Sequence, residues 1–332
     1  MKFIQSRFWW IILIVFLLIF PLVSSSLSFL NNATEILIDA LFGVSLNLLI
    51  GYTGLLSLGH CAFFALGSYG TGILLREASI SIPLALIGGA FLAAVVALAM
   101  GYLCTRLTKF YFAFLTLALS QIVYIVVVKW VSLTGGEQGL IGGIPHPPIR
   151  LLGFAFDISS RLHFYYFTVL LVCGSFILCK MIVDSPFGWL LRCMRENQAR
   201  TQFVGVNVRR YQLGVFVIAG VFAAISGGLT ALNLNGCYAD HAQWLKGADP
   251  IFMILIGGMK TFAGPMVGAA ALVCLNTFIG AYTRYSALIL GAILIFLVAF
   301  ARMGIVDFVL LQWESLRRFA GKKAVPSVAP PG

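Results

Sequence analysis

The sequence predicts an all-α integral membrane protein, a polytopic helix bundle of about ten spans that includes broken helices. Three observations predict it. Of 332 residues, 61% are hydrophobic and 10% charged, where a soluble domain holds roughly half and a quarter. The mean hydropathy is +1.00. The apolar residues recur in runs of about twenty, the length at which a helix crosses the hydrocarbon core. Little chain remains for an extramembrane domain. The net charge of +11 is scattered between the apolar runs. A membrane protein with positive cytoplasmic loops gives the same total, so the charge argues for lipid surroundings and against nucleic acid.

The expected spans are residues 8–30, 33–50, 54–75, 82–103, 111–131, 163–183, 213–234, 250–258, 264–282 and 286–301. Lys2 and Arg7 precede the first run, and Ser24–Ser26 follow its apolar core. That order also suits a cleaved signal peptide, but the run is long for one, and the charge alternation needs it kept. Residues 1–32 therefore read as a retained first helix. The third span is crowded with glycine and the eighth is too short to cross alone. Such segments persist in a bilayer only where protein or a wet cavity surrounds them. With this layout 16 of the 22 basic residues fall on one side. Both termini and the basic stretch 184–212 are then cytoplasmic. The segment 132–162 is the longest outside loop, rich in Gly and Pro around TGGEQGLIGGIPHPP, and reads as ordered turns. Residues 307–332 form a cytoplasmic tail, amphipathic over 308–319 and then Pro-rich and disordered.

The stretch 184–212 is a polar island between two apolar runs. It holds Arg192, Arg195, Arg200, Arg209 and Arg210 against one internal acid, Glu196. Ser185 suits a helix N-cap and Pro186 the first helical position. Phe187, Leu190, Leu191 and Met194 recur at helical spacing, so one face is apolar. Gly205 is placed to end that helix and Asn207 to cap the next. The island reads as a short amphipathic helix outside the membrane, offered to a partner. A plain topology-fixing loop would not need a capped helix with an apolar face.

Catalysis and metal binding find no support. His60, His146, His163 and His241 form no metal-ligand spacing, and GGMKT (257–261) lacks the frame of a phosphate-binding loop. The seven cysteines show no CxxC spacing and read as small packing residues. Intramembrane polar groups are the remaining candidates, since each costs free energy in lipid. The pathway candidates are Asn47, Gly51, Ser57, His60, Phe63, Gly67 and Gln121. The group Ser57–His60, on a glycine-rich break, stands out. Each of these residues alone fits an interhelical hydrogen bond or a packing contact equally well. Asp39, near the outer end of the second span, reads as interfacial or paired with a neighbour. No chain of buried carboxylates appears, which argues against a proton- or sodium-coupled pump. The stretches 51–70 and 257–272 are both glycine-rich and lead into a span, so they suggest an internal repeat.

Four stretches in fixed order carry a resemblance: NLLIGYTGLLSLGHCAFFALGSYGTGILL, LTGGEQGLIGGIP, RENQARTQFVGVNVRRYQL and GADPIFMILIGGMKTFAGPMVGAA. Together they resemble the membrane permease subunits of branched-chain amino acid ABC importers, of the LivM type. The resemblance runs from about residue 33 to 306, the expected permease domain, with 184–212 as its coupling loop. It implies the ABC importer permease fold and a bacterial inner-membrane location. It also implies a subunit without enzymatic activity or cofactor, with ATP and Mg used by partners. Those partners are a second homologous permease, two ATP-binding cassette ATPases and a periplasmic solute-binding protein. The family's coupling motif falls on Arg195, Glu196, Asn197, Ala199, Arg200, Gly205 and Val206. Leu191 and Met194 would fill the ATPase groove while the arginines meet acids at its rim. Thr134, Gly135, Gly136 and Gly139 fall where a binding protein would dock. The family often has R-P-x-G-L after the last span, where this chain reads ARMGIVDF. Alternatives are a permease for urea or short amides, a stand-alone secondary transporter or channel, and a scaffold.

Overall fold

The computed structural model describes residues 21, 27–78, 80–107, 109–142, 144–145, 149–151, 154–156 and 160–283. Beyond these it describes 288–289, 291–293, 295, 304–307 and 312. Most of the expected first span over 8–30, most of the last over 286–301 and nearly all of the tail lie outside them.

Helix α1 spans Leu27–Thr53. It begins six residues before the expected second span and takes in residues assigned to the first. Asn31 and Asn32 do not break it, and Thr34 returns its hydroxyl to the Leu30 carbonyl at 2.8 Å. It ends at Gly54, whose φ of +73° suits glycine. The Gly54 amide bonds to the Ile50 carbonyl at 3.2 Å, a left-handed C-cap.

An irregular stretch, 54–60, leads into α2 (Cys61–Glu77). The break expected across 54–75 is thus confined to its first seven residues. The later glycines sit in a continuous helix because they permit contact, not turning. A Cβ at Gly67 would lie 2.0 Å from the Ala224 carbonyl oxygen.

Next come α3 (Ile82–Cys104), α4 (Lys109–Lys129) and the single turn α5 (Val131–Thr134). The expected turn-rich loop holds three very short strands, β1 (Leu140–Ile141), β2 (Ile149–Leu151) and β3 (Phe154–Phe156). Then follow α6 (Arg161–Asp184), α7 (Pro186–Glu196), α8 (Gln198–Phe203) and α9 (Val208–Leu234). Strand β4 (Gly236–Cys237) pairs antiparallel with β1, and a 3₁₀ turn covers Ala239–Ala242. The described chain closes on α10 (Trp244–Gly257) and α11 (Gly264–Tyr282).

Helix α10 starts six residues before the expected eighth segment and carries Pro250 inside it. At 14 residues it is about 21 Å long, still short of a bilayer. Among the described residues, six helices are long and apolar enough to cross a membrane: α1, α3, α4, α6, α9 and α11. The protein is an all-helical polytopic membrane protein apart from the small strands.

Two spans form the centre. The most apolar stretches of α1 and α9 are 78% and 72% buried, against 28–39% for the other four. Helix α9 packs on α1, α2 and α3, while α1 packs on α6, α10 and α11. Glycines let the backbones meet: a Cβ at Gly227 would lie 1.9 Å from the Phe64 carbonyl oxygen. Packing by small residues is the usual source of helix association in lipid, where apolar surface gains little by leaving the solvent. Phe63 lies in this seam, edge-on to Phe216 at 5.3 Å. The outer helices present Phe91, Phe114, Ile125 and Leu170 outward, which suits a hydrocarbon surround.

Candidate functional site

The basic hairpin is built as two helices rather than one. Ser185 accepts the Gly188 amide and starts α7. At Asn197 the backbone turns extended, with φ −157° and ψ 104°. The Asn197 side chain then accepts the Arg200 amide at 3.0 Å and starts α8. Asparagine competes with the helix for its own backbone, which is why the helix expected to run to Gly205 breaks here. Gly205, at φ +87°, follows the end of α8 and not of the helix that Ser185 starts. Asn207 caps α9 through the Arg210 amide at 3.3 Å.

Leu191 and Met194 do not face outward. Both are fully buried against the chain's own bundle, so the expectation that they fill a partner's groove is corrected. Gly188 brings α7 within contact of the end of α6, since a Cβ there would lie 2.2 Å from the Val183 carbonyl oxygen. Two arginines also turn inward. Arg195 donates to the Gly51 carbonyl at the end of α1. Arg192 donates to the Val183 carbonyl at 3.2 Å and lies 5.4 Å over the Tyr52 ring. Last-turn carbonyls lack helical partners and carry the negative end of the dipole, so a guanidinium fits there. Glu196, Asn197, Ala199, Arg200 and Gly205 are exposed and Val206 is half-buried. Beside them Phe203 and Val204 are 89% and 83% exposed. The sequence reading missed this apolar pair, although both stand inside the quoted motif. The signal was two large apolar residues immediately before the helix-ending glycine.

Of the expected pathway residues, Asn47 and Gly51 lie behind this hairpin, where Arg195 reaches the Gly51 carbonyl. Asn47 donates to the Thr261 carbonyl at 3.3 Å, and a Cβ at Gly51 would lie 2.7 Å from the Met259 carbonyl oxygen. The two glycine-rich stretches therefore meet. Ser45 donates its only hydroxyl hydrogen to Phe42 at 2.7 Å and lies 2.9 Å from His60 Nε2. Leu58 donates its amide to Thr116 of α4 at 3.2 Å, so 54–60 runs along α4. Nine buried side-chain polar atoms among the described residues lack a hydrogen-bond partner. Asn47 Oδ1, Ser57 Oγ, His60 Nδ1 and Gln121 Nε2 are four of them, and these are the four polar residues expected to line a path. Phe63 and Gly67 sit in the α2–α9 seam, where packing accounts for them.

The TGGEQGL turn packs inward more than expected. Thr134 is buried, with its hydroxyl 2.6 Å from the Val127 carbonyl. Gly135, Gly136 and Gly139 all have positive φ. A Cβ at Gly139 would lie 2.0 Å from the Cys237 carbonyl oxygen. These residues shape the turn. Glu137 and Gln138 at its tip are the exposed ones.

A second polar centre lies toward the other end of the bundle. Asp39 and Gly51 are twelve residues apart on α1, about 18 Å along its axis. Lys246 Nζ sits 3.5 Å from Asp39 and 2.9 Å from Asp249. The trio borders a cavity of about 770 Å³, between α1, the end of α9, α10 and α11. Asp39 is paired, as expected. Lys246 lies between the expected spans 213–234 and 250–258, on the side opposite the basic stretch in the expected layout. Its spacing of three from Asp249 on one helix face was the available signal. All seven cysteines are free.

The family described as branched-chain amino acid transport system, permease component, matches residues 28–298. The chain is 26% identical over 292 residues to the high-affinity branched-chain amino acid transport system permease protein LivM of Escherichia coli (strain K12), covering 82% of this chain and 68% of that protein. It is 25% identical, with the same coverage, to the protein of that name from Salmonella typhimurium. A probable branched-chain amino acid transport permease protein LivM of Methanocaldococcus jannaschii is 24% identical over 261 residues, 73% of each chain. No solved structure matches the chain.

Proposed function

The chain belongs to the family of branched-chain amino acid transport permeases, and from that premise we propose that it moves aliphatic amino acids inward by alternating access, driven through its basic hairpin. It is the permease component of such a system and not itself an enzyme. One observation carries the coupling role. The hairpin is capped, glycine-fitted and packed on its inner face, yet leaves Phe203 and Val204 uncovered at its tip. An uncovered apolar pair beside exposed Glu196 and Arg200 suits a protein partner.

The proposed partners are two ATP-binding cassette ATPases on the hairpin side, a second permease subunit and a periplasmic binding protein at the Glu137–Gln138 turn. About ten spans, with both termini cytoplasmic, complete the proposed layout. ATP binding would close the ATPases and move α7 and α8. Arg195 would pass that motion to the end of α1, where Gly54, the 54–60 stretch and the 258–263 loop meet. The unpartnered side-chain oxygen of Asn47, beside the Thr261 carbonyl, gives that junction polar character. The work comes from the partner, because a ligand or motion biases only an element that both sites touch.

The test is ATP-dependent uptake by the reconstituted complex, measured with leucine, a non-branched amino acid and urea. Saturable leucine uptake that needs ATP supports the reading. Urea uptake without leucine uptake moves the cargo to short amides, and uptake by the permease alone without ATP ends the coupling proposal.

A further inference from the structure

The cavity of about 770 Å³ falls in the size range of small-molecule sites. Its charged lining is unbalanced among the described residues: Glu35, Asp39, Asp240 and Asp249 face it against Lys246, with His241 beside them. Lys246 is shared between two carboxylates, and it also lies 5.5 Å over the Phe64 ring. Asp39 is buried within a membrane span, where a carboxylate needs a cationic partner. One ammonium serves two acids, so a second positive charge is the missing complement. The wall also carries the uncharged polar residues Thr230, Asn233, Gln243 and Asn276, and an apolar part with Ile38, Phe252 and Leu272. Helix α10 begins at the same cavity with no side-chain cap from Gln243.

A free cation would leave Lys246 and the apolar wall without a role. A free carboxylate would deepen the charge imbalance. A molecule bearing adjacent ammonium and carboxylate groups and an aliphatic side chain answers all three features. We propose that this cavity is a zwitterion site, with Lys246 taking the α-carboxylate, Asp39 and Asp249 the α-ammonium, and Ile38, Phe252 and Leu272 the side chain. The ligand rests on the permease reading above; the site is where a substrate waits at the far end of α1 from the hairpin.

The test uses the full complex in proteoliposomes with Asn233→Cys on the cavity wall, in a chain whose exposed Cys193 and Cys274 are replaced by serine. Maleimide labelling of that cysteine is followed with leucine, with isocaproate (carboxylate only) and with isoamylamine (ammonium only), all at millimolar concentration. The expected result is labelling slowed at least threefold by leucine and by neither analogue. Asp249→Asn should abolish the protection and raise the KM of leucine uptake at least tenfold with little change in kcat. Lys246→Met should act alike, and Lys246→Arg should retain protection. If Lys246→Met does not assemble, Asp249→Asn decides. Leucine uptake by wild type with no protection, or an unchanged KM in Asp249→Asn, overturns the site and leaves the permease reading standing. A wild-type complex that takes up no aliphatic amino acid overturns the cargo, and with it this ligand.

Discussion

Arg195 of the basic hairpin donates to the carbonyl of Gly51, so the last turn of α7 is tied to the last turn of the most buried span. No other hydrogen bond between side chain and backbone links α7 to α1 among the described residues. Arg195→Ala should leave the chain inserted and the ATPases active. ATP-driven leucine uptake should fall at least tenfold per ATP hydrolysed. Unchanged uptake per ATP would show that α1 moves without this tether.

Phe203 and Val204 contribute nothing to the chain's own core. Phe203→Ser combined with Val204→Ser should therefore leave thermal unfolding of the permease within a few degrees of wild type. Surface changes away from special features usually stay within about 0.5 kcal/mol. Co-purification with the ATPases should drop sharply. Full retention of the ATPases would place the contact elsewhere on the hairpin.

Glycines in this bundle divide into two kinds, and their alanine variants should differ in sign. A Cβ at Gly67 or Gly227 would lie 2.0 or 1.9 Å from a backbone carbonyl oxygen, so a methyl group must separate α2 from α9. Overpacking of this kind costs about 1–3 kcal/mol or more. Gly174 and Gly280 meet nothing within 4 Å, and alanine there should stabilise the helices by about 0.5–1 kcal/mol. Melting in detergent, followed by size-exclusion fluorescence, should show Gly67→Ala below wild type and Gly174→Ala at or above it. The reverse order would contradict the seam.

Ser45→Ala removes the partner of His60 Nε2 and leaves a fully buried imidazole without its side-chain bond. A buried polar group left unsatisfied costs about 1–3 kcal/mol. The melting temperature should fall. Ser45→Thr keeps a hydroxyl and should recover part of the loss, unless the 54–60 stretch is held by α4 alone.

Much of this was legible in the chain. Apolar runs of span length located α3, α4, α6, α9 and α11 to within a few residues, because a bilayer fixes both length and polarity. Ser185, Gly205 and Asn207 marked their turns because each has local chemistry. The missed features depend on partners distant in sequence. Gly67 looks like a breaker until Ala224 is seen behind it. Leu191 and Met194 read as an offered face because periodicity tells that a face is apolar, not what covers it. Asn197 is both a helix residue and a cap by composition, and only its neighbours decide. Lys246 lies in a stretch that reads as an outside loop, and its pairing with Asp39 spans more than two hundred residues.

Cys193 is a native, exposed thiol on α7, which makes the coupling claim directly measurable. A membrane-impermeant maleimide should label it in inside-out vesicles and not in right-side-out ones, with a Cys193→Ser chain as the background. Assembly with the ATPases should slow that labelling several-fold. Labelling from the outer face, or a rate indifferent to the ATPases, would contradict the account.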